Sequence, residues 1–201
     1  MHPASSFRVN DRGALIAHLN RHPFATLAAA LQGRPLVAQA PLLVRELESG
    51  LVIDFHLSIN NALAPSISTG FAACLLSAGP DAYVSPDWYE AADQVPTWNY
   101  VSVEVEGQVS PLDEAATIAL LDDLSALEEA RLAPKAPWTR HKMSPGRFEA
   151  MLRGIVGARL EVQRLEGTFK LSQNKSDRDR AGVVAALGDH PISRMMKELP
   201  Q

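Results

Sequence analysis

Two short segments concentrate side chains that could hold a ligand. Residues 95–100 read VPTWNY, and residues 170–175 read KLSQNK. A flat heteroaromatic ligand needs an apolar wall and a few fixed donors at its edge, and the lysines of the second segment could also bind a phosphate. A second interpretation fits at least as well, in which the tryptophans fill the core and the Ser-Gln-Asn run satisfies backbone groups at a turn.

The familiar catalytic and metal-binding motifs are missing from this sequence. It contains no GxSxG, GxxxxGK[ST] or HExxH segment. Its six histidines are scattered singly, and none has ligand spacing to another or to the one cysteine. We therefore predict no metal site, and the catalytic residues, if any, stay unknown at this level.

Composition indicates an ordinary globular protein of 201 residues, with 46% hydrophobic and 21% charged residues. No apolar run reaches the roughly 20 residues that a membrane-spanning helix needs, so we expect no membrane partner. The N-terminal residues lack the apolar segment of a signal peptide, and Cys74 alone cannot form an intrachain disulfide. These features predict a cytoplasmic protein.

Charge argues against broad affinity for nucleic acid, because the net charge is -4. Basic residues do gather at 135–147 and at 170–180, but the second group alternates with Asp177 and Asp179. A solvated helix face explains that group at least as well as DNA contact does. We therefore do not favour DNA as a direct partner.

Most of the chain has the period of strands. Val101, Val103 and Val105 alternate with polar residues, as in a sheet with one wet face. Consecutive strands without crossover helices favour an antiparallel sheet or barrel. The predicted strands cover residues 24–31, 34–46, 50–58, 69–79, 81–86, 97–109 and 157–167.

Helices are predicted at the start, after the sixth strand and at the end of the chain. The first is capped by Asn10; the next begins at Ser110 and Pro111, with Ile118, Leu121, Leu124 and Leu127 as its buried stripe. Ser144 and Pro145 mark the start of a further helix, and residues 176–188 and 190–199 close the chain as small helices. Residues 131–143, with two prolines, are the best candidate for a mobile cover.

Three motifs together resemble one family. The segments YVSPDWY at 83–89, VPTWNY at 95–100 and KLSQNKS at 170–176 are long and rich in rare residues. In this order they are similar to the FMN-binding negative transcriptional regulators of the PaiB type, and the likeness runs over nearly the whole chain.

The resemblance implies a mainly β fold with flanking helices, an antiparallel Greek-key split β-barrel of the FMN-binding type related to pyridoxamine-phosphate oxidases. It further implies one domain over residues 1–201 with a helical tail from about 176, a homodimer, and FMN at the subunit interface. Twelve residues are candidates for binding the cofactor or another small heteroaromatic ligand: His56, Ser58, Asn60, Asn61, Trp88, Thr97, Trp98, Asn99, Lys170, Ser172, Gln173 and Asn174.

One departure from the family pattern bears on FMN. Where the family has arginine after its third strand, this chain has Ile59, in HLSINNA at 56–62. If that arginine contacts the phosphate, its loss removes about 1.5 to 3 kcal/mol, or about one to two decades of affinity. Three functions therefore stay open: a PaiB-like regulator that binds FMN, an FMN-dependent oxidoreductase acting on a small substrate, and a barrel that has lost its flavin and acts by interaction.

Overall fold

The computed structural model describes residues 4–199, and within them the strands form one seven-stranded sheet. The strands are β1 (Arg8–Val9), β2 (Phe24–Leu31), β3 (Arg34–Leu47), β4 (Gly50–Ser58), β5 (Phe71–Val84), β6 (Thr97–Pro111) and β7 (Ile155–Lys170). Their order in the sheet is β1-β7-β4-β3-β2-β5-β6, and β7 also pairs with β6. The pairings β1–β7, β2–β3, β2–β5, β3–β4 and β4–β7 are antiparallel.

In the described part of the chain, six α-helices and three short 3-10 turns accompany this sheet. The helices are α1 (Arg12–Arg21), α2 (Ala64–Ile67), α3 (Glu114–Ala130), α4 (Arg147–Leu152), α5 (Asp177–Leu187) and α6 (Pro191–Lys197). The 3-10 turns are Ser5–Phe7, Pro86–Trp88 and Arg140–Lys142. The mainly β, antiparallel fold with flanking helices that the sequence predicts is confirmed.

Contacts divide the chain into two compact units. The first, here the terminal unit, takes the described parts of residues 1–18, 78–104 and 166–201; the second, the central unit, takes residues 19–77 and 105–165. In the terminal unit α5 and α6 pack on a core that includes Tyr89, Val101 and Ile192. In the central unit α3 packs Leu120 and Leu124 against Leu43 of β3.

A glycine sets how closely α3 approaches β7. A Cβ on Gly157 would lie 2.2 Å from the hydroxyl oxygen of Thr117, far inside van der Waals contact. Thr117 is buried and belongs to α3. Only a residue without a side chain lets the helix lie this close to the strand.

Several predicted element boundaries are wrong. The predicted strands 69–79 and 81–86 are one strand, β5, because an extended chain passes through Pro80. The helix expected from Ser110 begins at Glu114, since β6 continues to Pro111 and the side chain of Asp113 accepts from the Ala116 N–H. The last strand is longer than predicted, at Ile155–Lys170.

Three further helix details differ from the sequence prediction. Asp11, not Asn10, caps the first helix, accepting a 2.6 Å hydrogen bond from the Ala14 N–H. Gly146, in the left-handed region at φ 75°, precedes α4 in place of Ser144. Leu127 is 52% exposed, and the buried face of α3 carries Thr117, Leu120 and Leu124.

The predicted helical tail is confirmed over its described part. Ser176 caps α5 by accepting from the Asp179 N–H, and Gly188 ends it with φ 58°. The expected end of the tail at residues 200–201 lies outside the described residues. No helix among residues 4–199 has the length and apolar content required to cross a bilayer.

Candidate functional site

The terminal unit places Thr97 beside Lys170. The Nζ of Lys170 donates to the hydroxyl of Thr97 and lies 5.8 Å from the centre of the Phe7 ring. Burial, and after it the charge of Lys175, lowers the pKa of Lys170. The ammonium group is half-buried, and this partial removal from water disfavours its charged form.

Trp98 faces outward in the same unit. Its indole is 53% exposed and meets Tyr83 edge to face, with ring centres 6.1 Å apart. The predicted role of Trp98 as a core plug is therefore wrong, because alternation along β6 places it opposite the buried Asn99. An exposed aromatic pair of this kind is available for contact with a ligand or another protein.

Asn99 and Ser172 are buried against each other. The Nδ2 of Asn99 donates to the Ser172 hydroxyl at 2.9 Å and contacts the sulfur of Met196 at 3.5 Å. The Ser172 hydroxyl in turn lies 3.3 Å from the Asn99 Oδ1. The hydrogen-bonding groups of this pair thus link β6 to the start of the helical tail.

Gln173 supports the turn after β7. Its Oε1 accepts from the Leu171 N–H at 2.7 Å, and its Nε2 donates to the carbonyl oxygens of Phe169 and Ser6. Asn174 is exposed beside it. Lys175 donates to the Gln94 Oε1 at 2.6 Å and lies 5.0 Å over the Tyr89 ring.

Trp88 is half-buried and packs against the core of the terminal unit. It ends the 3-10 turn at Pro86–Trp88, and the main chain of α5 approaches it closely at Gly182, where a Cβ would lie 2.1 Å from the Trp88 carbonyl oxygen. Here the interpretation of a tryptophan as a core-filling residue holds.

The remaining candidates lie in the central unit, at the end of β4. The Ser58 hydroxyl accepts from the Asn60 N–H at 3.2 Å, and the Asn61 Oδ1 accepts from the Leu63 N–H at 3.0 Å. These contacts shape the turn that follows the strand. Ile59, 50% exposed, lies within it.

His56 differs from its neighbours, because one of its ring nitrogens is buried without a hydrogen-bond partner among the described residues. That atom is Nδ1. Burial lowers the pKa of this imidazole, so it is held in the neutral form at neutral pH. A buried polar atom left unpaired costs free energy, and it marks a place where a ligand could supply the missing bond.

The His56 ring lines a cavity of about 470 Å³ in the central unit, here called the aromatic cavity. Phe24 and Trp138 supply its aromatic walls, and Ser125 supplies a hydroxyl. The rest of its lining is Pro23, Pro41, Leu121, Leu124, Glu128 and Glu129. Of the twelve candidates from the sequence, only His56 lines it.

Sequence reasoning missed Trp138, Ser125 and Leu121. The signals available were weak: Trp138 lies in residues 131–143, which were expected to cover a site, and Leu121 lies on α3 among residues expected to be core. Only the packing of α3 and this segment around His56 makes them neighbours. Whether residues 131–143 move is a prediction that the structure does not test.

Glu129 holds Trp138 in place. Its Oε2 accepts a 2.8 Å hydrogen bond from the Trp138 N–H, and the same oxygen pairs with Lys135. These contacts, Lys135 first, hold the pKa of Glu129 below its ordinary value, so the group is ionised at neutral pH. A charged acceptor gives a stronger hydrogen bond than a neutral one.

Comparison with known proteins decides the family. The family model described as "Putative FMN-binding domain" matches residues 1–164. The chain belongs to this family. Its PaiB-type character is supported by 30% identity over 200 residues to "Protease synthase and sporulation protein PAI 2" of Bacillus subtilis, covering 96% of this chain and 93% of the relative.

Solved structures show the same fold at low sequence identity. A FAD and heme binding protein from Mycobacterium smegmatis matches with a TM-score of 0.61 at 18% identity, covering 90% of this chain and 80% of that one. The flavocytochrome Anf3 from Azotobacter vinelandii matches with a TM-score of 0.62 at 18% identity, covering 90% and 78%. The predicted family and the split-barrel fold class are thereby confirmed.

Proposed function

We propose that this protein binds FMN, with the isoalloxazine ring in the aromatic cavity. The observation that carries the proposal is the buried, unpartnered Nδ1 of His56 in a cavity walled by Phe24 and Trp138. A neutral imidazole there can exchange a hydrogen bond with the polar edge of a flavin. Membership of a family described as FMN-binding supports the choice of cofactor.

The lining suits the ring in shape and polarity. Phe24, Pro41 and Leu121 offer apolar surface, while His56 and Ser125 offer polar groups for hydrogen bonds. When bound, FMN supplies redox chemistry that no side chain provides. The role of these residues is then to orient the ring and exclude water from it.

We further propose that the protein works as a homodimer. Phe24 is 63% exposed and Trp138 is 40% exposed, so the cavity has apolar rims in contact with water. A second copy of the chain would cover such rims, and the family resemblance implies an interface site. The measurement that tests this is the mass of the particle in solution, by light scattering, with and without FMN.

A regulatory role, if present, is proposed to act through the flavin or a small effector and not through direct reading of DNA. Three basic residues between 135 and 142 are engaged within the fold: Lys135 with Glu129, Arg140 with Asp122, and Lys142 with the carbonyl oxygen of Pro137. Because these positive charges are already engaged, fewer of them are available to neutralise DNA phosphates. We also propose a cytoplasmic location, because a single cysteine fits a reducing compartment.

The first experiment is purification without added flavin, followed by a visible spectrum and FMN titration monitored by melting temperature. We expect a yellow protein or a clear rise in melting temperature. The His56→Leu variant should lose most of that response, while His141→Leu, at an exposed position, should keep it. A colourless protein whose melting temperature ignores FMN would overturn the proposal and favour an interaction protein.

Turnover distinguishes the oxidoreductase alternative. With FMN bound, oxidation of reduced nicotinamide by oxygen or by a small acceptor would identify a redox enzyme. Tight FMN binding with no turnover of any donor tested would leave the binding proposal standing and reject the enzyme.

A further inference from the structure

A second cavity, of about 290 Å³, adjoins the aromatic cavity within the central unit. It is called here the apolar cavity. His56, Leu121, Ser125 and Trp138 line both cavities. A molecule in one cavity would therefore touch the same imidazole and indole as a molecule in the other.

Most of the other walls of the apolar cavity are hydrophobic. They come from the segment before α4, from α4 itself and from the start of β7. Such walls favour a small aromatic or aliphatic body that is desolvated on entry. The residues are Met143, Phe148, Met151, Leu152 and Ile155.

Arg140 and Asp122 are the charged residues of this lining, and Arg140 brings a buried donor to the cavity. Its Nε is buried and has no hydrogen-bond partner among the described residues. Asp122 Oδ1 lies 3.0 Å away, close enough for an ion pair, but the N–H is not aligned for a hydrogen bond. The guanidinium carbon also lies 4.9 Å from the centre of the Phe148 ring. An N–H in this position is left to be satisfied by an acceptor from outside the fold.

The charges around Arg140 determine whether the ligand's acceptor is anionic or neutral. Asp122 already balances Arg140, so an anionic ligand would bring an extra charge into apolar surroundings. A neutral oxygen acceptor satisfies the N–H without that cost. We propose that the apolar cavity binds a small neutral carbonyl compound, with its hydrocarbon part among the hydrophobic walls and its oxygen accepting from Arg140.

This site is independent of the flavin proposal, since its walls and its donor are present in the chain alone. If FMN does occupy the aromatic cavity, the carbonyl compound would share His56 and Trp138 with it as contacts. It would then be placed as a substrate or effector of the flavin.

The test compares three small probes of similar size on the 201-residue chain, with and without saturating FMN. Acetophenone carries the neutral carbonyl, ethylbenzene lacks it, and benzoate carries a charge. Dissociation constants are measured by ligand-observed NMR. We expect saturable binding of acetophenone, about tenfold or more tighter than ethylbenzene, since the Arg140 Nε–H would otherwise lack a hydrogen-bond acceptor, and tighter than benzoate.

Two variants locate the binding. Arg140→Met should reduce acetophenone affinity to that of ethylbenzene, whereas Lys142→Met, on the same 3-10 turn but outside the cavity lining, should leave it unchanged. Leu152→Phe, which fills the apolar cavity and leaves the aromatic cavity alone, should weaken all three probes.

Four results would overturn the proposal. They are no saturation by acetophenone, equal affinity for acetophenone and ethylbenzene, equal or tighter binding of benzoate, and unchanged acetophenone binding in folded Arg140→Met or Leu152→Phe. Failure of FMN to bind would leave these measurements interpretable, because they are also made without it.

Discussion

The backbone N–H of Trp138 donates a 2.8 Å hydrogen bond to the carboxylate of Glu129. Trp138 lines both cavities of the central unit, and Glu129 lies on α3. One carboxylate therefore connects the helix to the segment that supplies the aromatic wall. The position of the proposed flavin site depends on this contact.

Glu129→Gln is expected to weaken FMN binding several-fold. The variant removes the charge that attracts Lys135 and weakens the bond to the Trp138 N–H, so the indole is less well fixed. FMN titration monitored by flavin fluorescence measures the change. Glu114→Gln is the matched control, because Glu114 is exposed on the same helix and lies outside the lining of the aromatic cavity. Equal losses in the two variants would argue against a positioning role.

Acidification is expected to destabilise the protein partly through His56. Burial lowers the pKa of His56 below 6.5, so the unfolded chain takes up a proton at a pH where the folded chain does not. The free energy of unfolding therefore falls as the pH decreases below about 6.5, and levels off below the folded pKa.

Urea unfolding at several values between about pH 7 and pH 5 measures this slope. His56→Gln should make this slope shallower. His22, whose pKa burial also lowers, acts in the same direction and leaves a residual slope. An identical pH dependence in wild type and His56→Gln would contradict the prediction.

Asp54 is expected to be the most sensitive charged position of the central unit. It is 2% exposed and accepts from Arg159 Nε at 2.7 Å, from Arg159 Nη2 at 2.9 Å and from Arg45 Nε at 2.9 Å. Asp54→Asn leaves two guanidinium groups without their shared counter-charge and should lower the free energy of unfolding by about 3 kcal/mol.

The control for Asp54 is Asp123→Asn. Asp123 pairs with the other end of Arg45, but its side chain is 49% exposed, so the loss should stay below about 1 kcal/mol. Urea unfolding of both variants provides the comparison. Similar effects at the two positions would show that burial does not determine how much each carboxylate contributes to the free energy of unfolding.

If Lys170 and Lys175 contact the cofactor, we expect them to bind its phosphate. Both ammonium groups donate to neutral oxygens, those of Thr97 and Gln94, and so retain capacity for an anion. Replacing either lysine with alanine should weaken FMN far more than riboflavin, which lacks the phosphate. Calorimetric titration with both ligands measures the difference, and equal losses would reject the hypothesis.

Local sequence was sufficient for most of the elements. The alternation in β6, the turn signal between β2 and β3, and the Ser176 and Gly188 signals around α5 depend on neighbours in the chain. Some errors occurred where a strand continued past its expected end, as β6 does to Pro111. Others occurred at helix caps, as at Gly146 before α4.

Long, rare motifs determined the family, but they did not determine what their residues do. Asn99, Ser172 and Gln173 look like ligand donors in the sequence, and in the structure their polar groups bond to one another, to Met196 and to backbone atoms. Their role in binding a cofactor remains a prediction. Polarity indicates that a side chain needs partners, and only packing determines which partners it finds.

All of the candidate site except His56 was decided by tertiary structure. His56 was identifiable from its motif, whereas Trp138 and Leu121 are more than 60 residues away in the chain and carry no motif. They meet because α3 lies close against β7 at Gly157 and because Glu129 fixes the segment beyond the helix. Strand periods and helix caps are short-range properties that a sequence displays directly, but a cavity is formed by residues that only the packed fold brings together.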